Sequence, residues 1–169
     1  YAKYDAGFSD PATGSTVAGT YYNQGANVVY AVAGSVGDGV ASKAKEEKKL
    51  AIHVDADKDD MQPGYILTSV IKNTSVPVYD ITKAYVDGTI DDMDRLQTFP
   101  LASGATDITE LTQIKQAIAD TDEAQAKWEE IMTYIDDLKT QIADGKIKVT
   151  NAQIGEAFDP SACKNVTIK

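Results

Sequence analysis

Cysteine and histidine are almost absent from this chain, with Cys163 and His53 the only ones. A lone cysteine closes no internal disulfide, and Cys163, in a polar tail, reads as a bystander rather than a reactive thiol. One histidine without cysteine partners builds no zinc site, so His53 is expected to serve the core or face a helix. Positive charge is also scarce. Lys and Arg number 16 against 26 Asp and Glu, a net charge of -10, which repels a phosphate backbone and anionic headgroups. Nucleic acid and the membrane surface are therefore not expected partners of the body of the domain. No apolar run approaches the roughly 18 to 20 residues that span a bilayer. The sequence opens at Tyr1 with neither an initiator Met nor a secretory leader, which suits a mature product and a fragment equally.

The machinery of catalysis is missing as well. There is no nucleophile elbow, no Ser or Cys with a His partner beyond His53, and no isolated carboxylate pair with a reason for split pKa values. Binding is the expected activity, and an enzyme is not expected. What is present is a hydrophobic fraction of 43% over 169 residues, enough for one globular domain with a core, or one lobe of something larger.

Strand-like apolar runs alternate with helical patterns. Lys3 to Phe8 reads as a short strand, followed by a helix entered through Ser9-Asp10-Pro11, where Asp caps free N–H groups and Pro sits where no hydrogen bond is lost. That helix is expected to run to about Asn23, with Gly25 ending it. Asn27 to Ala33 reads as a strand buried on both faces, Gly34 to Gly39 as a loop and helix entry, and Val40 to Lys49 as a helix with a charged, solvated end. Leu50 to Val54 and Ile66 to Ile71 follow as strands, and Val76 to Val86 as a helix closed by Asp87-Gly88. This alternation predicts a parallel α/β sheet with right-handed crossovers. In the last third, Thr98 to Leu101 is expected as an edge strand, and Ile108, Leu111, Ile114 and Ile118 recur at helical spacing. Trp128, Ile131, Ile135, Leu138 and Ile142 form a second stripe, expected to pack on the sheet rather than in a coiled coil. Gly145 ends that helix, and Lys146 to Val149 reads as a returning strand.

Three strand ends carry polar or glycine residues. In open parallel sheets, ligands collect beyond the carboxyl ends of the strands. Gly34-Ser35-Val36-Gly37-Asp38-Gly39 lacks the Lys-Ser/Thr of a P-loop and the spacing of the dinucleotide motif, and Asp38 repels phosphate. Close backbone approach to a neutral ligand and a plain structural turn both fit it. Asp55 follows directly on a strand, and its carboxylate suits the adjacent hydroxyls of a ribose or hexose. Asp57, Asp59 and Asp60 read as an acidic surface loop. An EF-hand needs Gly and Glu where Asp60 and Ile66 stand, which leaves only a non-standard cation site as the rival. Lys72, at the end of the neighbouring strand, reads either as reaching the same ligand, as pairing with Asp55, or as a solvated edge.

Several segments together resemble a known family. FSDPATG, YNQGANVVYAVAGSVGDGV, AIHVDADKDDMQPGYILTSVIKNTSVPVYDITKAYVDGTI and IADGKIKV look like the basic membrane protein family of substrate-binding lipoproteins, which includes purine nucleoside receptors of ABC importers. The resemblance implies an α/β fold, a three-layer parallel-sheet lobe of a type I periplasmic binding protein, with residues 1–169 as a single lobe matching the C-terminal half. It also implies a nucleoside or sugar ligand, a second lobe and an ABC permease as partners, no cofactor, and an extracytoplasmic location through a lipoprotein anchor outside this segment. Carried over by position, Asp55 holds ribose hydroxyls, Lys72 reaches the same sugar, Gly34 lies in the loop beside the ligand, and Phe8 lies near the ring that stacks on the base. The segment from Thr98 to Ala126 departs from the family pattern. An isolated sensor or interaction module is the alternative.

Overall fold

The computed structural model describes residues 2–151, 155–157 and 159. It divides into two compact units, Tyr1–Trp128 and Glu129–Lys169. Cys163 lies outside the described residues.

The first unit is an α/β sheet with strand order β1-β2-β3-β4. Helix α1 (Pro11–Asn23) begins as its sequence dictates. The Asp10 carboxylate accepts from the Ala12 and Thr13 amides, and Pro11 occupies the first turn, where its missing N–H costs nothing. Strand β1 (Val28–Tyr30) follows, then α2 (Val36–Glu46), β2 (Leu50–Asp55), β3 (Ile66–Lys72) and α3 (Ser75–Val86). Strands β1, β2 and β3 pair in parallel, with Val28 opposite Leu50 and Val54 opposite Val70. Helices α1 and α2 cover one face. Ala18 and Tyr22 of α1 and Val40, Ala41 and Ala44 of α2 close over Val29, Ala31, Ala51 and Ile66 as one core cluster. Tyr22 keeps its polar end satisfied by donating its hydroxyl to the Leu50 carbonyl at 2.8 Å. Burial pushes that phenol up to about 12, because the ionised form loses its hydration.

Helix α2 starts earlier than expected, and the reason is packing. Residues 36–39 are helical, and the glycines are in the helix because of what they touch. A Cβ on Gly37 would lie 2.9 Å from the His53 ring, and one on Gly39 would lie 1.7 Å from the Pro11 carbonyl oxygen. Both positions exclude a side chain, so the glycines permit close helix approach.

Other expectations are corrected. Lys3 to Phe8 is irregular, with no strand among the described residues laddered to it, and the run Asn27 to Ala33 forms a strand only over Val28–Tyr30. Thr98 to Leu101 contains Pro100 and leads into a 3-10 turn at Leu101–Ser103; the edge strand is instead β4 (Thr106–Ile108), antiparallel to β3. The stripe from Ile108 to Ile118 is not one helix. Leu111 has φ 57°, which interrupts a right-handed helix, and only Thr112–Lys115 (α4) is helical. Leu111 and Ile114 are buried all the same. Thr109 joins the core through its hydroxyl, which accepts from the Ser69 amide at 3.1 Å and bonds to the Thr68 hydroxyl at 2.8 Å.

Helix α5 (Asp122–Ala143) begins in the first unit, where Trp128 is buried. Past Trp128 no residue of its apolar stripe is buried, and Ile131 is exposed, so the expected burial of the whole stripe does not occur among the described residues. In the second unit, the turn at Gly145 ends the helix as expected, but Lys146 to Val149 is not a strand. Glu156 there accepts from the Asn151 amide and the Lys148 ammonium, which hold its carboxyl below the ordinary range.

Candidate binding site at the carboxyl rim of the sheet

The parallel register brings the ends of β1, β2 and β3 to one rim. Asp55 ends β2 and Lys72 ends β3, and their side chains meet at 2.8 Å, both substantially exposed to solvent. Asp55 has φ 76°, a left-handed backbone that costs a non-glycine residue of order 1 kcal/mol or more. Strain of this kind collects at ligand sites.

The Gly34 loop lies at the same rim, after β1. Gly34 has φ 52°, and a Cβ there would stand 2.7 Å from the Phe8 carbonyl oxygen. That oxygen accepts from the Ser35 amide at 2.9 Å, which pins Phe8 to the loop and leaves its ring mostly exposed. The structure therefore brings the four expected residues to one end of the sheet as two pairs, Asp55 with Lys72 and Gly34 with Phe8. Neither Asp55 nor Lys72 lines the apolar cleft of about 900 Å³ that Phe8 borders.

Two further residues belong to this neighbourhood. Tyr30, half-exposed at the end of β1, has its hydroxyl pKa raised by partial burial and by the Asp55 charge. Its sequence signal was a tyrosine in an otherwise aliphatic strand. Asp38, in the first turn of α2, sits 3.0 Å from Nε2 of the buried His53. The Val54 amide donates to His53 Nδ1 at 2.8 Å, so the network assigns the imidazole proton to Nε2, donated to Asp38. His53 thus faces the helix as expected, and it anchors the glycine loop to β2.

The acidic loop divides. Asp57 and Asp60 are exposed, but Asp59 is buried and accepts from the Ser69 hydroxyl at 2.6 Å. The same hydroxyl accepts from the Lys58 amide at 3.1 Å. Asp59 is a structural clamp between loop and β3, not the surface carboxylate that the charge run suggested. Among the described residues, no group of three or more His, Cys, Asp or Glu is placed to hold a metal ion.

Residues 1–142 match the family model described as ABC transporter substrate-binding protein PnrA-like. The chain belongs to this family. It is 33% identical to the ABC transporter nucleoside-binding protein BmpA of Lactococcus lactis over 87% of this chain and 42% of that protein. An uncharacterized lipoprotein of Pyrococcus abyssi is 36% identical over 52% of the chain and 23% of that protein. The crystal structure of an ABC transporter solute-binding protein from Aeropyrum pernix superposes with a TM-score of 0.65 at 24% identity, over 84% of this chain and 45% of that one. That likeness shows the fold of a solute-binding protein. The chain spans less than half the length of these relatives.

Proposed function

We propose that this chain is the solute-recognition lobe of an ABC importer's substrate-binding protein, and that it recognises a nucleoside. The observation that carries this reading is the Asp55–Lys72 pair at 2.8 Å on the carboxyl rim, with Asp55 held there against its backbone preference. An ionised carboxylate accepts two hydrogen bonds from a ribose diol, and the ammonium donates to a ring or hydroxyl oxygen. The exposed Phe8 ring supplies a flat face on which a base stacks. The name of the Lactococcus relative supports a nucleoside over a free sugar. A partner lobe would close over the rim, and ligand buried between the two surfaces would favour the closed state by its differential affinity. In this reading no bond is made or broken, and a permease receives the solute. The lipoprotein among the relatives supports an extracytoplasmic, membrane-anchored location for the whole protein.

A second reading, an interaction module whose uncovered surface meets another protein, draws on α3. This helix has no buried residue and exposes Val78, Tyr79, Tyr85 and Val86.

Calorimetric titration with adenosine, guanosine and inosine separates the two. The nucleoside reading expects weak heat with this chain, tighter binding with a longer gene product, and a loss of about 10- to 100-fold on Asp55→Asn, the worth of a charged hydrogen bond. No heat with either chain refutes it.

A further inference from the structure

His53 is the chain's only histidine, and it stands buried on β2, two residues before Asp55. Both of its ring nitrogens are engaged. Nε2 meets Asp38 at 3.0 Å, and Nδ1 accepts from the Val54 amide at 2.8 Å. That amide lies on the side of β2 that addresses β1, because Ile52, two residues earlier, accepts there from Ala31. Strand β1 ends at Tyr30, so the ring gives the Val54 amide an acceptor beyond the end of the strand.

The carbonyl of the same residue closes the turn that carries Asp55. The Ala56 amide donates to the Val54 carbonyl at 3.0 Å, across Asp55 with its φ of 76°. An i to i+2 bond around a positive φ is the rare, strained form of the γ-turn. His53 Nδ1 lies 3.3 Å from that carbonyl oxygen. A neutral Nδ1 with the proton on Nε2 is an acceptor and serves the amide, whereas a protonated Nδ1 is a donor and serves only the carbonyl. One proton therefore repels the Val54 N–H and pulls on the oxygen that closes the Asp55 turn. The ring has little slack, since a Cβ on Gly37 would already stand 2.9 Å from its Cε1 and Nε2.

The charged and titratable groups on the elements around the ring have assigned partners. Helix α2 supplies Asp38, which gives an incoming positive charge a hydrogen-bonded counter-ion already in place. On β3 the register partner of His53 is Ser69, which is bonded to the Asp59 carboxylate and to the Lys58 amide. Further along β2, Asp55 pairs with Lys72. Helix α1 contributes its cap Asp10, bonded to Ala12 and Thr13, and Tyr22, bonded to the Leu50 carbonyl. Tyr30 of β1 is paired with Ile52 and so projects from the sheet face opposite to His53. Histidine is the side chain whose charge ordinarily changes between about pH 5 and 8, and this chain has one.

We infer that His53 is a pH-sensitive positioning residue for the carboxyl rim: its neutral ring holds the Val54 amide and leaves the Asp55 turn closed, and a proton arriving at Nδ1 loosens that turn, so that solute is held less tightly as the pH falls. This rests on the solute-recognition reading above, and it gives that site a regulation of its own. His53 touches no solute in this scheme. It acts through Val54 on Asp55, and through Asp38 on the glycine loop at the start of α2.

Two measurements between about pH 8 and pH 5 test this. In NMR of the wild-type chain, a single set of histidine ring signals reports the proton, and the Val54, Asp55 and Ala56 amide signals should move with the same midpoint as the ring. In calorimetry with adenosine, guanosine and inosine, on the chain or on a longer gene product, affinity should fall about tenfold over that range, the worth of one amide hydrogen bond. His53→Asn keeps an acceptor near the Nδ1 position but takes up no proton, so its affinity should be the same at both ends of the range. His53→Ala keeps neither and should bind about tenfold more weakly than His53→Asn at either pH. The inference is overturned if the ring takes up no proton above pH 5, if it does so while the three amides stay still, if wild-type affinity is independent of pH, or if His53→Asn keeps the wild-type pH profile. The NMR arm needs no variant and no ligand. Amides that follow the ring without nucleoside heat at any pH would retain the His53 device and refute the nucleoside reading, whereas heat that ignores pH would do the reverse.

Discussion

Replacing Gly39 by alanine tests the central packing argument. In an isolated helix the change favours folding by about 1 kcal/mol. Here the new Cβ would sit 1.7 Å from the Pro11 carbonyl oxygen and 2.9 Å from the Ser15 amide nitrogen. Both are backbone atoms of α1, so no rotamer change relieves the overlap. Restoring an ordinary separation needs α1 to move by about 1.5 Å, in a core where overpacking costs about 1–3 kcal/mol and occasionally more. With backbone on both sides the upper end applies, and the net loss is about 2 kcal/mol. For a chain of this size that lowers Tm by about 4–8 °C. Gly19→Ala is the matched control. It also lies inside a helix, but its Cβ meets only the flexible end of the Lys43 side chain. It should raise stability by about 0.5–1 kcal/mol. Thermal unfolding followed by circular dichroism, with urea midpoints at constant m, reads both. Equal or higher Tm for Gly39→Ala, or shifts of the same sign for both variants, would refute the close-contact account of α1 and α2.

Other outcomes follow from single contacts. Tyr22→Phe removes the hydroxyl that satisfies the Leu50 carbonyl and should cost about 1–2 kcal/mol in urea unfolding. The wild type should also lose about 2 kcal/mol as pH rises from 10 to 12. The unfolded phenol ionises near 10 and the folded one only at about 12, so the unfolded chain binds fewer protons in that window and gains stability relative to the fold. The Phe variant should lack this share of the alkaline loss, and identical alkaline profiles would count against burial of Tyr22 as its cause. Asp55→Gly should leave stability within about 1 kcal/mol of wild type. Relief of the left-handed backbone offsets the flexibility of glycine and the loss of an exposed ion pair. The same variant should abolish nucleoside heat; unchanged heat would remove Asp55 from the proposed site.

Much of this molecule was legible in its residue order. Asp10-Pro11 and Gly25 set the ends of α1 because caps act through atoms two or three residues away. The apolar runs gave β2 and β3 to within a residue, and parallel pairing then required Asp55 and Lys72 to emerge at one rim. The belonging of the chain to its family was readable from the same segments. Tertiary contacts decided the rest. Gly37 and Gly39 look like a loop until His53 and Pro11 are placed against them. Asp59 looks like surface charge until Ser69 of β3 meets it. Leu111 and Ile114 keep a helical spacing yet bury their side chains from broken backbone, since burial rewards the side chain and not the path that delivers it. Residues 3–8 have a strand's sequence and no strand's structure, because a ladder needs a neighbour and none of the strands among the described residues pairs with them; hydrogen bonds between strands are a property of pairs that no single segment encodes.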